Sequence, residues 1–519
     1  MPYSFVLPTT SHLPFQAFLI SPTHPSLPLA ISTTRSHLRS LLKAHKALSP
    51  SRQTADLPRI LRAIEEYIPY LCTVDAGLSG KKVADECVEI NLLQEFEVEW
   101  RSPLLGNSIR ARNQARIKGR GFDYEVFSVL QTLARVHYLL ARASLLQSYT
   151  NTTNPSASSP GPLFGTTVIQ TSTKHLLTSH AIHGHLIHRT HHAGDSPPTF
   201  PQQAVDIRLG TQCSLAELTL AEATLLFVLK DDPYPALIQQ LRDDDDKEWM
   251  VKAPTVPAVR AHLFARLCFG AADHAAKASA AIAGANAQGL TKDLPTYCED
   301  LRRVARARGC RFLALDAEAA GRTGEAIAWL RSGYLELGIV IPDNDELSTT
   351  GSKSNSKKRT GLDKLKSAFA EKRSNRRLEK GGTKEWGNDA GRAEEIRILD
   401  WLYTKYSIEN DLVNVQLVPD SVVQAATKTP SGREAFGANH HPELYWKSKT
   451  LDEGQLAKMR APVEEENNGD GGMIGDDDSS SGDEVDEQIH QGLSSINQGR
   501  PPGAFPGLGL EGAGTGDYY

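Results

Sequence analysis

Apolar residues recur at helical spacing along most of the chain. Ile31, Leu38, Leu41, Leu42 and His45 form one such set. Leu57, Ile60, Leu61, Ile64, Tyr67 and Ile68 form another after the Ser49-Pro50-Ser51 break, so two neighbouring amphipathic helices are predicted. From Gly121 the pattern widens: Phe122, Val126, Leu130, Leu133, His137 and Leu140 share a face, with Val129, Val136 and Leu139 beside it. So wide an apolar face predicts a buried helix. Cys213 to Lys230 is strongly helix-forming and apolar on more than one side, which predicts a helix crossing the interior. Two long alanine-rich stretches, Val256 to Ala283 and Pro295 to Ala320, follow. The turn Gly321-Arg322-Thr323-Gly324 then joins the second of them to GEAIAWLRSGYLELG as a helical hairpin, with Thr323 as the expected cap. The hairpin resembles a tetratricopeptide unit, but no strict 34-residue repeat runs through the chain, so the helical array is irregular. A last helix is expected over Gly391 to Ser407, where Ile396, Leu399, Leu402 and Tyr403 share a face.

The gaps in this pattern are equally specific. Pro8, Pro14, Pro22, Pro25 and Pro28 break the start into extended chain or short strands that wrap the body. Residues Thr150 to Pro162 and Ser196 to Pro201 read as surface loops, and the acidic run Asp243 to Asp246 as a solvated stretch. A lysine- and arginine-rich insertion occupies about residues 347–390 within a helical domain of residues 1–450. From 451 to 519 the chain is rich in Gly, Asp, Glu and Ser, a composition that cannot bury enough apolar surface to offset ordering entropy. That tail is expected to be disordered.

Composition adds mainly exclusions. A formal net charge of −5 on 519 residues gives no basis for nucleic-acid binding. The six cysteines are scattered without a zinc or redox spacing, which fits a reducing, intracellular setting. No basic leader precedes an apolar run at the start. No run of about 18 to 20 uninterrupted apolar residues occurs, so membrane contact is expected to be peripheral and through partners.

Among motifs that could carry chemistry, His180, His183, His185, His188, His191 and His192 stand at near-helical spacing. Gly184 interrupts them and no carboxylate or cysteine lies among them, so a solvated helix is expected rather than a metal site. The glycines around Arg322 lack the ending of a phosphate-binding loop. The basic insertion carries a single aromatic, Phe369, and so reads as a solvated loop. Tyr234-Pro235-Ala236-Leu237 has the form of a sorting peptide, yet Pro235 suits the first turn of a helix running on through Ile238 and Leu241. No catalytic constellation, metal site or cofactor is predicted.

Several stretches taken in order resemble the Bro domain proteins, which include Alix: PYSFVLPTTSHLPF, EFEVEWRSPLL, FDYEVFSVLQTLARVHYLLA, LTLAEATLLFVLKDDPYP, VRAHLFARLCFGAA and GEAIAWLRSGYLELG. Near the end, Pro430-Ser431-Gly432-Arg433-Glu434 is similar to a motif of the fungal pH-response branch of that family. The resemblance covers about residues 1–450. It implies a mostly α, boomerang-shaped Bro domain with a tetratricopeptide-like core and short N-terminal strands. It also implies a non-enzymatic adaptor that binds the C-terminal amphipathic helix of an ESCRT-III subunit in an apolar groove. The branch further implies alkaline pH signalling, with other pathway components as partners and a transcription factor activated by proteolysis. The expected location is cytoplasmic, with recruitment to plasma-membrane or endosomal sites. General endosomal cargo sorting is the alternative. Alix has a second long coiled-coil arm and a proline-rich region that this chain does not show, so their functions are not carried over.

Three residues are expected to contact the partner. By resemblance, Leu218 lies in the helix that borders the groove, with core packing as its alternative role. Pro430 and Arg433 flank Gly432, whose expected contribution is an unusual backbone turn. The Arg433 guanidinium would clamp carboxylates or chain carbonyls at the groove edge, or else fasten its segment to the helical body.

Overall fold

The computed structural model describes residues 2–106, 116–152, 165–192, 198–240, 260–284, 289–339, 387–436 and 446–460. The acidic run 243–246, the basic insertion up to residue 386 and the tail beyond residue 460 lie outside the described residues.

Helices dominate, and they build two adjoining cores. The first contains α1 (Leu27–Ala47), α2 (Pro50–Leu78) and α3 (Phe122–Thr152). Pro28 and Pro50 sit in first turns, where a missing N–H costs nothing, while Pro58 and Pro69 are carried inside α2. The residues expected to share the apolar faces of α1 and α2 are buried except Leu61, which is partly buried. Ahead of them the chain runs extended, pairing β1 (Leu19–Ile20) antiparallel with β2 (Asn91–Leu92). The strands β3 (Glu97–Trp100) and β4 (Ile117–Arg120) pair in register Val98 to Gly119.

One buried carboxylate fixes this region. Glu125 of α3 accepts from Arg35 Nε at 2.8 Å, Tyr67 O–H at 2.9 Å and Trp100 Nε1 at 2.7 Å, so α1, α2, α3 and β3 meet at one anion. Arg35 spends its remaining donors on the Ser11 carbonyl and Thr10 Oγ1, which draws the proline-rich start onto the same point.

The second core stacks α4 (Thr166–His191), α5 (Leu209–Leu229), α7 (Ala261–Gly284), α8 (Asp293–Ala319) and α9 (Thr323–Glu336) in sequence, with the short α6 (Tyr234–Gln240) after α5. α5 is apolar around its circumference and lies mostly buried between α4 and α7. Tyr234 and Pro235 open α6 with the tyrosine buried against Trp401, the helix-starting role expected for that motif. Then follow α10 (Arg392–Glu409), the wide turn Asn410–Asn414 and α11 (Ser421–Lys428). Here too buried charge ties the elements. Arg311 of α8 binds Asp232 at 2.6 Å and Glu395 of α10 at 2.6 Å, all three side chains excluded from water. Burial works against the Arg311 charge, but Asp232 and Glu395 reverse it and raise its pKa. Glu395 also receives Arg308, and these cations hold its pKa down against burial.

Two expectations are corrected here. Thr323 is the first residue of α9 rather than its cap, and its hydroxyl accepts from Asn414 Nδ2 at 2.8 Å. The tail boundary at 451 also falls too early. Leu451 and Leu456 are buried in the first core, Leu451 N–H donates to Thr73 Oγ1, and Asp452 with Gln455 forms a capping box on α12 (Glu453–Ala457).

Removing one partner of such a pair leaves an uncompensated buried charge. Arg35→Met and Arg311→Met are each expected to lower unfolding free energy by about 3–5 kcal/mol in urea titrations. The double variant Arg35→Met/Glu125→Leu should lose less than the sum of its single variants.

Candidate functional site: a strap across the central helices

α5 shows solvent a narrow stripe. Cys213, Glu217 and Leu220 are partly exposed at helical spacing, and Phe227 is 42% exposed further along. Leu218 points the other way. It is 0% exposed and belongs to the second core, so an open partner contact is not available to it; the accessible apolar residues are its neighbours Leu220 and Phe227.

On α7 a matching stripe runs through Arg266, Gly270 and Asp273, and the Pro430 to Phe436 segment lies across it. Arg433 N–H donates to the Arg266 carbonyl at 2.9 Å, and Arg266 Nε donates to the Ser431 carbonyl at 3.2 Å. A Cβ on Gly270 would run into the Arg433 carbonyl, and one on Gly432 would stand 2.8 Å from Gly270 N. Gly432 is therefore needed for close approach. Its backbone does not adopt the positive φ that an unusual turn would require. Beyond it, Phe436 meets Phe227 edge to face at 6.3 Å, which ties the strap to the end of α5.

Pro430 and Arg433 are thus brought to one edge, away from Leu218. Pro430 is half-buried at the entry of the strap, and the Arg433 side chain is exposed. Arg433 is held by its backbone N–H and its side chain is exposed; between α5 and α7, Glu217 and His274 pair at 2.7 Å. Sequence reading missed Gly270, Leu220, Phe227 and Phe436. The small-residue step at Gly270 inside an apolar helix was the available signal.

The histidine cluster divides: His180, His183 and His185 are packed, while His188, His191 and His192 are exposed, as a solvated helix would have them. His183 is buried on Gln212 at 2.7 Å, His180 meets the Ala216 carbonyl at 2.9 Å, His185 packs on Trp446, and His188 stacks on His192. His175 meets His137 of α3, Nδ1 to Nδ1 at 3.0 Å, which requires at least one neutral ring. Among the described residues no group of three or more His, Cys, Asp or Glu is placed to hold a metal ion.

Burial drives His137 and His183 down to about 3 and His185 to about 4. The unfolded chain, with ordinary imidazoles near 6.5, binds these protons first. Stability from these groups is therefore complete above about pH 6.5 and lost as pH falls toward their folded values. Glu222 opposes them: burial raises its carboxyl to about 7, so its contribution is lost as pH rises from the unfolded value toward 7. Denaturant titrations between pH 4.5 and 7 should show stability rising with pH, less steeply in His183→Gln and more steeply in Glu222→Gln. The Leu218→Asp chain is expected to unfold at markedly lower denaturant, whereas Leu220→Asp should keep the wild-type midpoint within about 1 kcal/mol.

No family model matches the chain. Among solved structures it is similar to the Alix Bro1 domain in a complex with CHMP4C, at 14% identity and TM-score 0.49 over 87% of this chain and 98% of that one. It is also similar to a Bro1 domain described for endosomal targeting, at 16% identity and TM-score 0.44 over 84% and 92%. Among characterised sequences it is 40% identical to the pH-response regulator protein palC of Emericella nidulans, over 98% of this chain and 99% of that protein. Identity at that level along nearly the whole of both chains means that the chain belongs to the family of palC pH-response regulators.

Proposed function

We propose that the chain is a non-enzymatic adaptor of alkaline pH signalling that binds the C-terminal amphipathic helix of an ESCRT-III subunit beside the strap. The palC relationship supports the pathway. The resemblance of the sequence stretches to Bro domains supports the partner. The observation that carries the site is the Gly432 to Gly270 crossing, which builds the PSGRE motif into the surface of α7 and leaves Arg433 free at its edge.

An amphipathic helix suits the surface chemically. Its apolar face would cover Leu220 and Phe227, and its carboxylates or exposed carbonyls would meet Arg433. Pro430 would hold the strap entry in one approach. In this reading the adaptor works in the cytoplasm, reaches plasma-membrane or endosomal sites through its partners, and helps assemble the complex in which the transcription factor is processed.

Binding of the purified chain to a fluorescent ESCRT-III C-terminal peptide tests the site. Arg433→Ala should weaken it by about 1–3 kcal/mol, roughly 5- to 150-fold, with the unfolding midpoint retained. Phe227→Ala should weaken it as well, and a strain carrying Arg433→Ala should grow poorly at alkaline pH. Unchanged peptide affinity in a folded Arg433→Ala chain would remove Arg433 from the site, and normal alkaline growth of a deletion strain would remove the pathway assignment.

A further inference from the structure

A second cleft lies where the two cores adjoin, away from the strap. Its walls include Arg101, Ser102, Gln131, Arg135 and Asp206, around a small space that is partly open to solvent. Three of these side chains are almost wholly buried, and each keeps donors with no acceptor.

Arg135 is the centre. Its Nη1 donates to Asp206 Oδ2 at 3.1 Å, while Nε and Nη2 have no hydrogen-bond partner. Those two N–H groups form one edge of the guanidinium, the fork that grips two oxygens of a carboxylate or phosphate side by side. Arg35 uses the same edge on Glu125. Gln131 Nε2 and Ser102 Oγ are also without a partner.

The direction of the Gln131 amide is fixed by its neighbours. Gln212 Nε2 donates both to the Asp206 carbonyl, at 2.8 Å, and to Gln131 Oε1, at 2.9 Å, while Gln212 Oε1 meets His183 Nδ1. Turning Gln131 would set N–H against N–H, so its amino group stays on the unpaired side. The cleft therefore offers the guanidinium edge, an amide N–H and a hydroxyl, while Asp206 is occupied by Arg135 and by the Leu104 N–H at 3.0 Å.

Charge agrees with the donors. Arg101 stands in the wall with Arg116 near enough that burial and that second cation together lower its pKa. One carboxylate thus faces two wall arginines with a third beside them. Buried donors without an acceptor are destabilising, and an oxyanion would relieve that cost at several groups at once.

We infer that this cleft is an oxyanion site whose ligand presents carboxylate or phosphate oxygens to the Arg135 edge, Gln131 and Ser102. Its residues are separate from the strap surface, so the site stands or falls independently of peptide binding there.

The test uses the full chain at constant ionic strength. Inorganic phosphate and, separately, acetate should raise the thermal midpoint in a saturable way that chloride does not reproduce; whichever acts at lower concentration identifies the source. Crystals grown with selenate should show an anomalous peak beside Arg135. In Ser102→Ala and Gln131→Leu, which leave the Arg135–Asp206 pair intact, half-saturation should move up at least about threefold. A stabilisation equal in chloride, an ordered water alone in the cleft, or unchanged half-saturation in both folded variants would overturn the assignment.

Discussion

Glu125 and Glu395 set the constraint on which the other arrangements depend: a carboxylate removed from water must have its oxygens filled by donors. Glu125 is reached by Arg35, Tyr67 and Trp100, and Glu395 by Arg308 and Arg311. The donors to Glu125 come from α1, α2 and β3, while Glu395 of α10 draws both of its donors from α8, so each anion settles the relative positions of elements that apolar packing alone would leave free to slide. Arg311 extends the second cluster to Asp232 at the end of α5, and through it α6 and α10 are tied to the helix that also carries Phe227. Charge thus fixes the segment just after α5 against α8 and α10.

The PSGRE segment is fixed by other means. It belongs to no helix, yet it is seated by two backbone-directed bonds and a contact between two glycines. An arginine on such a strap is presented without spending its side chain on the fold. Loss of the guanidinium and loss of the glycine step therefore have different consequences: the first removes a donor, while the second displaces the segment that carries it.

Much of the fold was legible in the sequence because helices announce themselves by spacing. Ile31 to His45, Leu57 to Ile68 and Phe122 to Leu140 all declared their faces, and the turn at Gly321 declared the hairpin. α5 was legible as an interior helix but not in its orientation: with apolar residues all round, Leu218 and Leu220 look equivalent, and only neighbouring helices decide which is covered. Part of the histidine cluster misled for the opposite reason. His180 and His183 are polar by type, and their packing depends on the Ala216 carbonyl and Gln212, distant in sequence and on another helix, whereas His188, His191 and His192 stay exposed as read. Leu451 and Leu456 were lost among acidic and glycine-rich neighbours, since two apolar residues make no periodic signal. Gly432 was read as a turn because close approach between backbones cannot be seen from one of them.

The seat of Leu451 has a consequence for synthesis on the ribosome. Its N–H bonds to Thr73, 378 residues earlier, and Leu456 completes the same core. At about 5–20 residues per second, the ribosome delivers this closing segment roughly 20 to 75 s after α2. Through that interval the nascent first core has an uncovered apolar site, open to a chaperone or to another nascent chain. A ribosome stalled before residue 451 would release a protein with every long helix present and its first core still unsealed.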